Sequence, residues 1–250
     1  MRHVLALAVL SALAAPALAD EKRSAGDYLA RGKMRLARRQ YADAIEDLTK
    51  CIELDPKNAE AYDERGSAHF LAGKFAESVA DFDKQIELAP KKADQHWRRG
   101  ISLYYAGKYE EGARQFLGDK DAFVDDVENA VWHFTCVRRK DGKKKARESV
   151  LKIGKDGRKP MMQVYDLYRG KIEPDDVLKA ANEGKLTDEQ RKPQLFYAHL
   201  YLGIYYDLEG DDKKAVEHLD KAANKYKIGH YMGEVARIHH ELLKKKQKEK

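Results

Sequence analysis

The stretch that decides the fold is AEAYDERGSAHFLAGKFAESVADFDKQIELAP, residues 59–90. Apolar residues recur in it at helical spacing in two runs, 62–71 and 75–88. Gly73 separates the two runs and can adopt the left-handed conformation that ends a helix. Pro90 cannot continue a helix interior and closes the segment. The stretch therefore predicts two helices joined by a tight turn.

The same pattern recurs along the first half of the chain with a period of 34 residues. The recurring positions are the glycines Gly32, Gly66 and Gly100; Tyr28, Tyr62 and His96 four before them; Arg31, Arg65 and Arg99 directly before them; Ala44, Ser78 and Gly112 twelve after; and Leu48, Phe82 and Phe116 sixteen after. Glycine and a small residue on facing helices let two backbones approach closely. The bulky residue then fills the remaining space.

A 34-residue unit with these positions resembles the tetratricopeptide repeat (TPR). One such helix hairpin cannot bury its apolar face alone, so neighbouring units stack into a solenoid. The predicted fold class is all-α, a right-handed α-solenoid of TPR helix hairpins with a less regular helical middle and a late TPR-like unit. The predicted parts are three N-terminal TPR units at 24–124, irregular helical pairs at 125–185, and a C-terminal TPR-like unit with a capping helix at 186–246.

Within the second half, helices are expected at 127–137, 146–153, 161–168, 174–181 and 230–243. The repeat register returns at Gly203, with Leu219 sixteen residues later. Thr187, followed by Gln190 three residues on, is a suitable start for the long helix that enters this late unit.

The first 19 residues have the pattern of a cleaved secretory signal peptide. Arg2 precedes an apolar run over 4–18, which ends at Ala19 in an A-x-A sequence before Asp20. The alternative is a membrane anchor, but spanning a bilayer usually takes about 20 apolar residues. The expectation is an exported protein, periplasmic or extracellular and without a transmembrane segment, cleaved after Ala19.

A narrower resemblance rests on VYDLYRGKIEPDDVLKAA, residues 164–181, and LFYAHLYLGIYYDLEGDDKKAVEHLDKAA, residues 195–223. These stretches look like the C-terminal half of NlpI-type bacterial TPR lipoproteins. The resemblance implies an envelope adaptor, often dimeric, that docks peptidoglycan hydrolases and their proteases. This chain lacks the lipidated cysteine of that family.

One face of the first helix of each unit is expected to line a partner-binding groove. Residues three before, one after and four after each repeat glycine share that face because they are spaced i, i+4, i+7. They are Leu29, Lys33, Leu36, Asp63, Ser67, Phe70, Trp97, Ile101 and Tyr104. Such a stripe suits an extended or helical peptide, although Phe70 and Tyr104 could equally pack against neighbouring helices. Trp97 stands beside His96, at the usual aromatic packing position, and is therefore expected to point outward.

The formal charge is +6, and it falls to +5 when Arg2 is removed with the signal peptide. Positive charge is concentrated in the loop predicted at 138–147 and in the tail 244–250. The basic patch comprises Arg138, Arg139, Lys140, Lys143, Lys144 and Lys145. Such runs are usually solvated, and the functional alternative is contact with an acidic partner, polymer or headgroup surface. No aromatic interleaving supports nucleic-acid binding.

Sequence motifs give catalysis no support: GxSxG, HExxH and P-loop patterns are absent. His239 and His240 are adjacent on an expected helix and point about 100° apart, so they cannot jointly hold a metal. Cys51 and Cys136 could pair in an exported protein, but two separate thiols are favoured. We expect no enzyme, cofactor or metal. The predicted function is an exported scaffold that docks a protein or peptide in the groove, as a monomer or homodimer; the alternative is a polyanion- or surface-binding accessory.

Overall fold

The computed structural model describes residues 23–118 and 125–249. Within these two ranges the chain is built of helices and contains no strand. Consecutive helices pair as hairpins, so the predicted all-α fold class is confirmed. The predicted signal peptide lies outside the described residues.

The first six helices form three hairpins: α1 (Ala25–Ala37) with α2 (Tyr41–Leu54), α3 (Ala59–Leu71) with α4 (Phe75–Leu88), and α5 (Trp97–Tyr105) with α6 (Tyr109–Leu117). Polar side chains fix where the first helices of the hairpins begin. Ser24 and Asp27 form a capping box at α1, and Asn58 accepts the Ala61 N–H at 3.0 Å at α3. Gly73, with φ 77°, turns the chain out of α3 in the left-handed conformation that the sequence predicts.

Each repeat glycine lies directly against the bulky residue sixteen positions later. A Cβ atom added at the glycine would meet a side-chain atom at 2.7 Å for Gly32 (Leu48), 2.9 Å for Gly66 (Phe82), 2.5 Å for Gly100 (Phe116) and 2.5 Å for Gly203 (Leu219). Because real Cβ contacts are essentially never this short, these four positions leave no room for a side chain. The two helices of each hairpin can pack this closely only around a glycine.

An ion pair adds a second link at the same spacing. Arg31 donates to Asp47 at 2.8 and 2.5 Å, and Arg65 donates to Asp81 at 2.9 and 2.7 Å. Both aspartates are buried, so each bidentate pair fixes the angle between its two helices in addition to their separation.

The second half comprises α7 (Val127–Glu148), α8 (Met161–Tyr168), α9 (Pro174–Asn182), α10 (Asp188–Glu209), α11 (Asp212–Asp220) and α12 (Tyr231–Lys248). Thr187 and Gln190 form the expected capping box at the start of α10. The helical run of α7 is interrupted at Gly142, where φ is 89° and ψ is 174°, so residues 127–141 and 143–148 are two helical segments. The bounds expected for the second segment, 146–153, are wrong, because it begins before residue 146 and ends at Glu148. The basic segment 138–147 is helical on both sides of this break and is not the loop that the sequence predicts.

The last helix, α12, packs back onto the N-terminal repeats. The ring of Tyr231 stacks on Phe70 with 5.3 Å between centroids. Further along the helix, Glu234 accepts a hydrogen bond from the Tyr41 hydroxyl at 3.2 Å and pairs with Arg39. These contacts join residues more than 150 positions apart, so α12 closes the stack of hairpins on itself.

A buried carboxylate ties α12 to the third hairpin. Asp207 of α10 pairs with Arg139 of α7 and lies 3.1 Å from His239 Nε2. The other ring nitrogen of His239 is 2.8 Å from the Tyr105 hydroxyl, and Arg139 Nε donates to Tyr104 at 3.2 Å. Burial by itself would raise the pKa of Asp207, but the bonds and charges of His239 and Arg139 lower it to about 2. The carboxylate therefore stays charged and holds four helices together.

The contact between Gly66 and Phe82 predicts that Gly66→Leu destabilises the protein. A leucine side chain would force α3 and α4 apart, and overpacking of this kind costs about 1–3 kcal/mol or more. Thermal unfolding followed by circular dichroism should show a melting temperature lower by several degrees.

Gly26→Leu is the matched control, because Gly26 lies at the exposed start of α1 and its nearest neighbour, Ser24 Oγ, is 3.7 Å from the added Cβ. Its melting temperature should stay at or above that of the wild type, since leucine favours helix more than glycine does. An unchanged melting curve for Gly66→Leu would mean that this helix contact is misplaced.

Candidate binding cleft

The nine residues of the predicted groove fall into different environments. In the first repeat, Leu29 and Leu36 are half-buried and Lys33 is exposed, pairing with Glu60 at 2.5 Å. In this part of the stripe, the surface carries an ion pair between Lys33 and Glu60.

In the second repeat, Asp63 and Ser67 hold an arginine of the next hairpin. Arg98 donates to Asp63 Oδ2 at 2.6 Å and to Ser67 Oγ at 2.7 Å. Burial opposes the charged form of Asp63, but hydrogen bonds and charges from His96 and Arg98 lower its pKa below the usual range. These two groove positions serve the contact between neighbouring repeats.

Phe70 and Tyr104 are covered by the chain itself, which corrects the expectation of a continuous open groove. Phe70 is fully buried beneath Tyr231 of α12. Tyr104 is buried against Trp132 of α7, with 5.5 Å between ring centroids. Both side chains therefore pack against helices of the second half, as the alternative for these two residues expects.

The groove stays open at its third repeat, where a cavity of about 140 Å³ lies beside Trp97. We call this the aromatic cleft. Trp97 is 42% exposed, whereas Ile101, which also belongs to the predicted stripe, is buried in the lining. The residues that line the aromatic cleft are Trp97, Ile101, Phe116, Asp126, Glu128, Asn129, Trp132 and Met232.

Trp97 is held at the cleft by its neighbour in sequence and by α12. His96 packs on Phe82, with 4.5 Å between ring centroids, and its Nδ1 accepts the Arg99 N–H at 3.1 Å to cap α5. Trp97, the next residue, is thereby turned away from the core and meets Tyr231 edge-on at 5.1 Å. The cleft wall is thus preformed by α5 and α12.

The two tryptophans of the chain, Trp97 and Trp132, both line the cleft. Trp132 is 2% exposed and stacks on Phe116 at 6.3 Å. Within the described chain its indole Nε1 has no hydrogen-bond partner. Buried donors usually have partners, so this indole N–H is an exception among the described residues.

Carboxylates form the opposite rim of the cleft, around the start of α7. Asp126 caps α7 by accepting the Glu128 N–H at 3.0 Å. A single guanidinium, that of Arg158, contacts Asp126 at 3.1 Å, Glu128 at 2.5 Å and Asp156 at 2.6 Å. Burial raises the pKa of Glu128, against the opposing effect of hydrogen bonds from Tyr201 and Arg158. Sequence reasoning missed this rim because its members come from separate segments.

The predicted basic patch is largely engaged in contacts within the chain. Arg138 donates to the Leu208 carbonyl at 2.9 Å, and Arg139 belongs to the buried network with Asp207 described above. Lys140 pairs with Glu110 at 2.9 Å and Lys143 with Glu209 at 2.5 Å, while Lys144 and Lys145 are exposed. Lys144 and Lys145 are the two lysines of the patch without an ion pair among the described residues, and two such lysines are a weak basis for a polyanion site.

Cys51 and Cys136 are both buried as free thiols. Burial raises the pKa of the Cys136 thiol well above its ordinary value, which disfavours the reactive thiolate. Residues 23–118 and 125–249 contain no cluster of three or more side chains suited to holding a metal ion. In the same ranges no helix has the length and apolar character needed to cross a membrane.

Comparison with known protein families agrees with the repeat geometry. Residues 29–93, which span most of the first two hairpins, match the model of the tetratricopeptide repeat family. This segment is made of tetratricopeptide repeats. The narrower resemblance to NlpI-type lipoproteins stays a prediction, and no curated protein matches the chain.

Two solved structures of TPR proteins are similar to the chain. One is YrrB, described as a TPR protein with an unusual peptide-binding site, at TM-score 0.45 and 16% identity over 89% of this chain and 95% of that one. The other is the C-terminal part of a TPR repeat-containing protein from Cytophaga hutchinsonii, at TM-score 0.43 and 18% identity over 81% and 69%. The function of the cleft is therefore inferred from the geometry of this chain and not from these two structures.

Proposed function

We propose that this protein is a protein-binding scaffold whose aromatic cleft takes one side chain of a partner segment. The observation that carries the proposal is the half-exposed Trp97 beside a preformed cavity on the stripe where TPR units present their groove. The cavity of about 140 Å³ is close to the roughly 150 Å³ apolar cavity that accepts benzene in another protein. It is therefore large enough for one large side chain.

A preformed cleft lowers the cost of binding, because its walls need no ordering when the partner arrives. Exposed tryptophan is a frequent binding hot spot, since it combines large apolar area with few rotatable bonds. Trp97 has both features, and its ring already rests against Tyr231. The proposal places the main anchor of the partner at this residue.

We further propose that the scaffold works outside the cytoplasm, in the cell envelope. The support for export is the apolar run 4–18 with its A-x-A ending. Amino-terminal sequencing of the protein recovered from its host should begin at Asp20. A chain that begins at Met1 in a membrane fraction would contradict the proposal of cleavage and export.

Peptides selected from a random phage-displayed library on the mature protein test the cleft. We expect Trp97→Ala to weaken binding of the selected peptides by about 2 kcal/mol, roughly thirtyfold. The unfolding free energy should fall less than the binding free energy, because Trp97 lies at the surface and outside the close packing between helices.

Two matched variants complete the binding experiment. Leu54→Ala removes another exposed apolar side chain, 57% exposed and outside the cleft, and should leave affinity unchanged. The triple change of Lys143, Lys144 and Lys145 to serine should also leave affinity at moderate salt nearly intact. If the lysine variant lost binding while Trp97→Ala bound normally, the cleft would not be the site and a polyanion-binding surface would take its place.

A further inference from the structure

We infer that the side chain received by the aromatic cleft is a cation, an arginine of the partner segment. The inference rests on the proposed function and adds the chemical class of the group that is bound. Two observations support it independently: the aromatic side chains that line the cavity, and an excess of negative charge among the described residues of its rim.

The lining is rich in aromatic side chains, and the faces of aromatic rings attract organic cations. Trp97 and Trp132 both line the cavity, and Phe116 stacks on Trp132. A cation within about 6 Å of a tryptophan ring centroid is attracted by the negative face of the ring, and the attraction grows when water is excluded. Both tryptophans of a 250-residue chain meet at this one cavity.

Among the described residues, the rim carboxylates outnumber their cationic partners. Asp126 and Glu128, which line the cavity, and the buried Asp156 share the guanidinium of Arg158, which leaves two negative charges when all four groups are ionised. Asp126 uses only Oδ1 in its contacts with Glu128 and Arg158, so Oδ2 has no partner among the described residues. Its side chain is 41% exposed, and a ligand at the cleft can reach it.

A neutral side chain would pack against the aromatic lining but would not pair with the carboxylates of the rim. Filling the cavity with an apolar group removes water from Asp126 Oδ2, which has no partner among the described residues, and burying a carboxylate oxygen without a partner is costly. A cationic group offsets that cost by pairing with the carboxylate while it lies against the rings. The rim is negative although the chain as a whole is positively charged, at +6.

Arginine suits this cleft better than lysine. Its guanidinium is planar, stacks on aromatic faces and is more weakly hydrated than an ammonium group, so it loses less on entering an apolar site. It can also form two parallel hydrogen bonds to a carboxylate such as Asp126.

Because both tryptophans line the cleft, intrinsic tryptophan fluorescence reports directly on its occupancy. We would titrate the mature protein with acetyl-Gly-Arg-Gly-amide and with the citrulline peptide, a neutral analogue of nearly the same shape. The arginine peptide should bind at least about tenfold more tightly at low salt, a difference of 1.4 kcal/mol. The preference should shrink as salt is raised.

Asp126→Asn removes the negative charge of this side chain and keeps its shape. Asparagine caps a helix as well as aspartate does, so α7 should still begin at the same residue. This variant should weaken the arginine peptide severalfold and leave the citrulline peptide unchanged. Equal affinities of the two peptides for the wild type, or no saturable response to the arginine peptide, would overturn the inference.

The proposed function can fail separately from this inference. Library peptides that depend on Trp97 but carry no arginine would leave the binding cleft in place and contradict only the cationic ligand. Library peptides that ignore Trp97 would remove the cleft as a binding site altogether.

Discussion

The close approach of paired helices around a glycine is the constraint on which the rest of the structure depends. At Gly66 an added Cβ would lie 2.9 Å from the ring of Phe82, so the helix separation in that hairpin is set by the absence of a side chain. The pair Arg65–Asp81 then fixes the crossing angle at the same level of the hairpin. Stacking of such hairpins brings Trp97 to the face that carries the cleft.

Closure by α12 determines which part of that face can bind. The helix covers Phe70 with Tyr231 and is tied to the third repeat through Asp207 and His239. The end at Trp97 stays accessible, and there α7 supplies a carboxylate rim in place of another repeat. A stack of identical hairpins would present a uniform groove, and the irregular second half converts it into one defined cleft.

The sequence predicts contacts that are local or that recur with the repeat. It does not predict contacts between residues that are far apart in the chain. The glycine register, the helix end at Gly73 and the cap at Thr187 depend on neighbours within one hairpin or one turn, so they can be read from spacing. The burial of Phe70 depends on Tyr231, which lies 161 positions later. This contact lies outside the 34-residue repeat, so the repeat spacing does not predict it. The Arg65–Asp81 ion pair could in principle have been predicted, because the same pair of residue types recurs at a constant spacing of sixteen. The contacts of Arg158 could not be predicted, because they join the start of α7 to a segment 30 or more positions later.

The central claim is that α12 is docked on the N-terminal repeats of its own chain. The most direct test is a short bis-maleimide cross-link in the double variant Arg39→Cys, Glu234→Cys, whose native side chains form an ion pair; the buried native thiols should react slowly. The account predicts efficient cross-linking within single chains, reduced by Asp207→Ala but unaffected by Glu209→Ala, the matched loss of a more exposed ion pair on α10. Absence of this cross-link, or cross-links only between two chains, would contradict the closed fold.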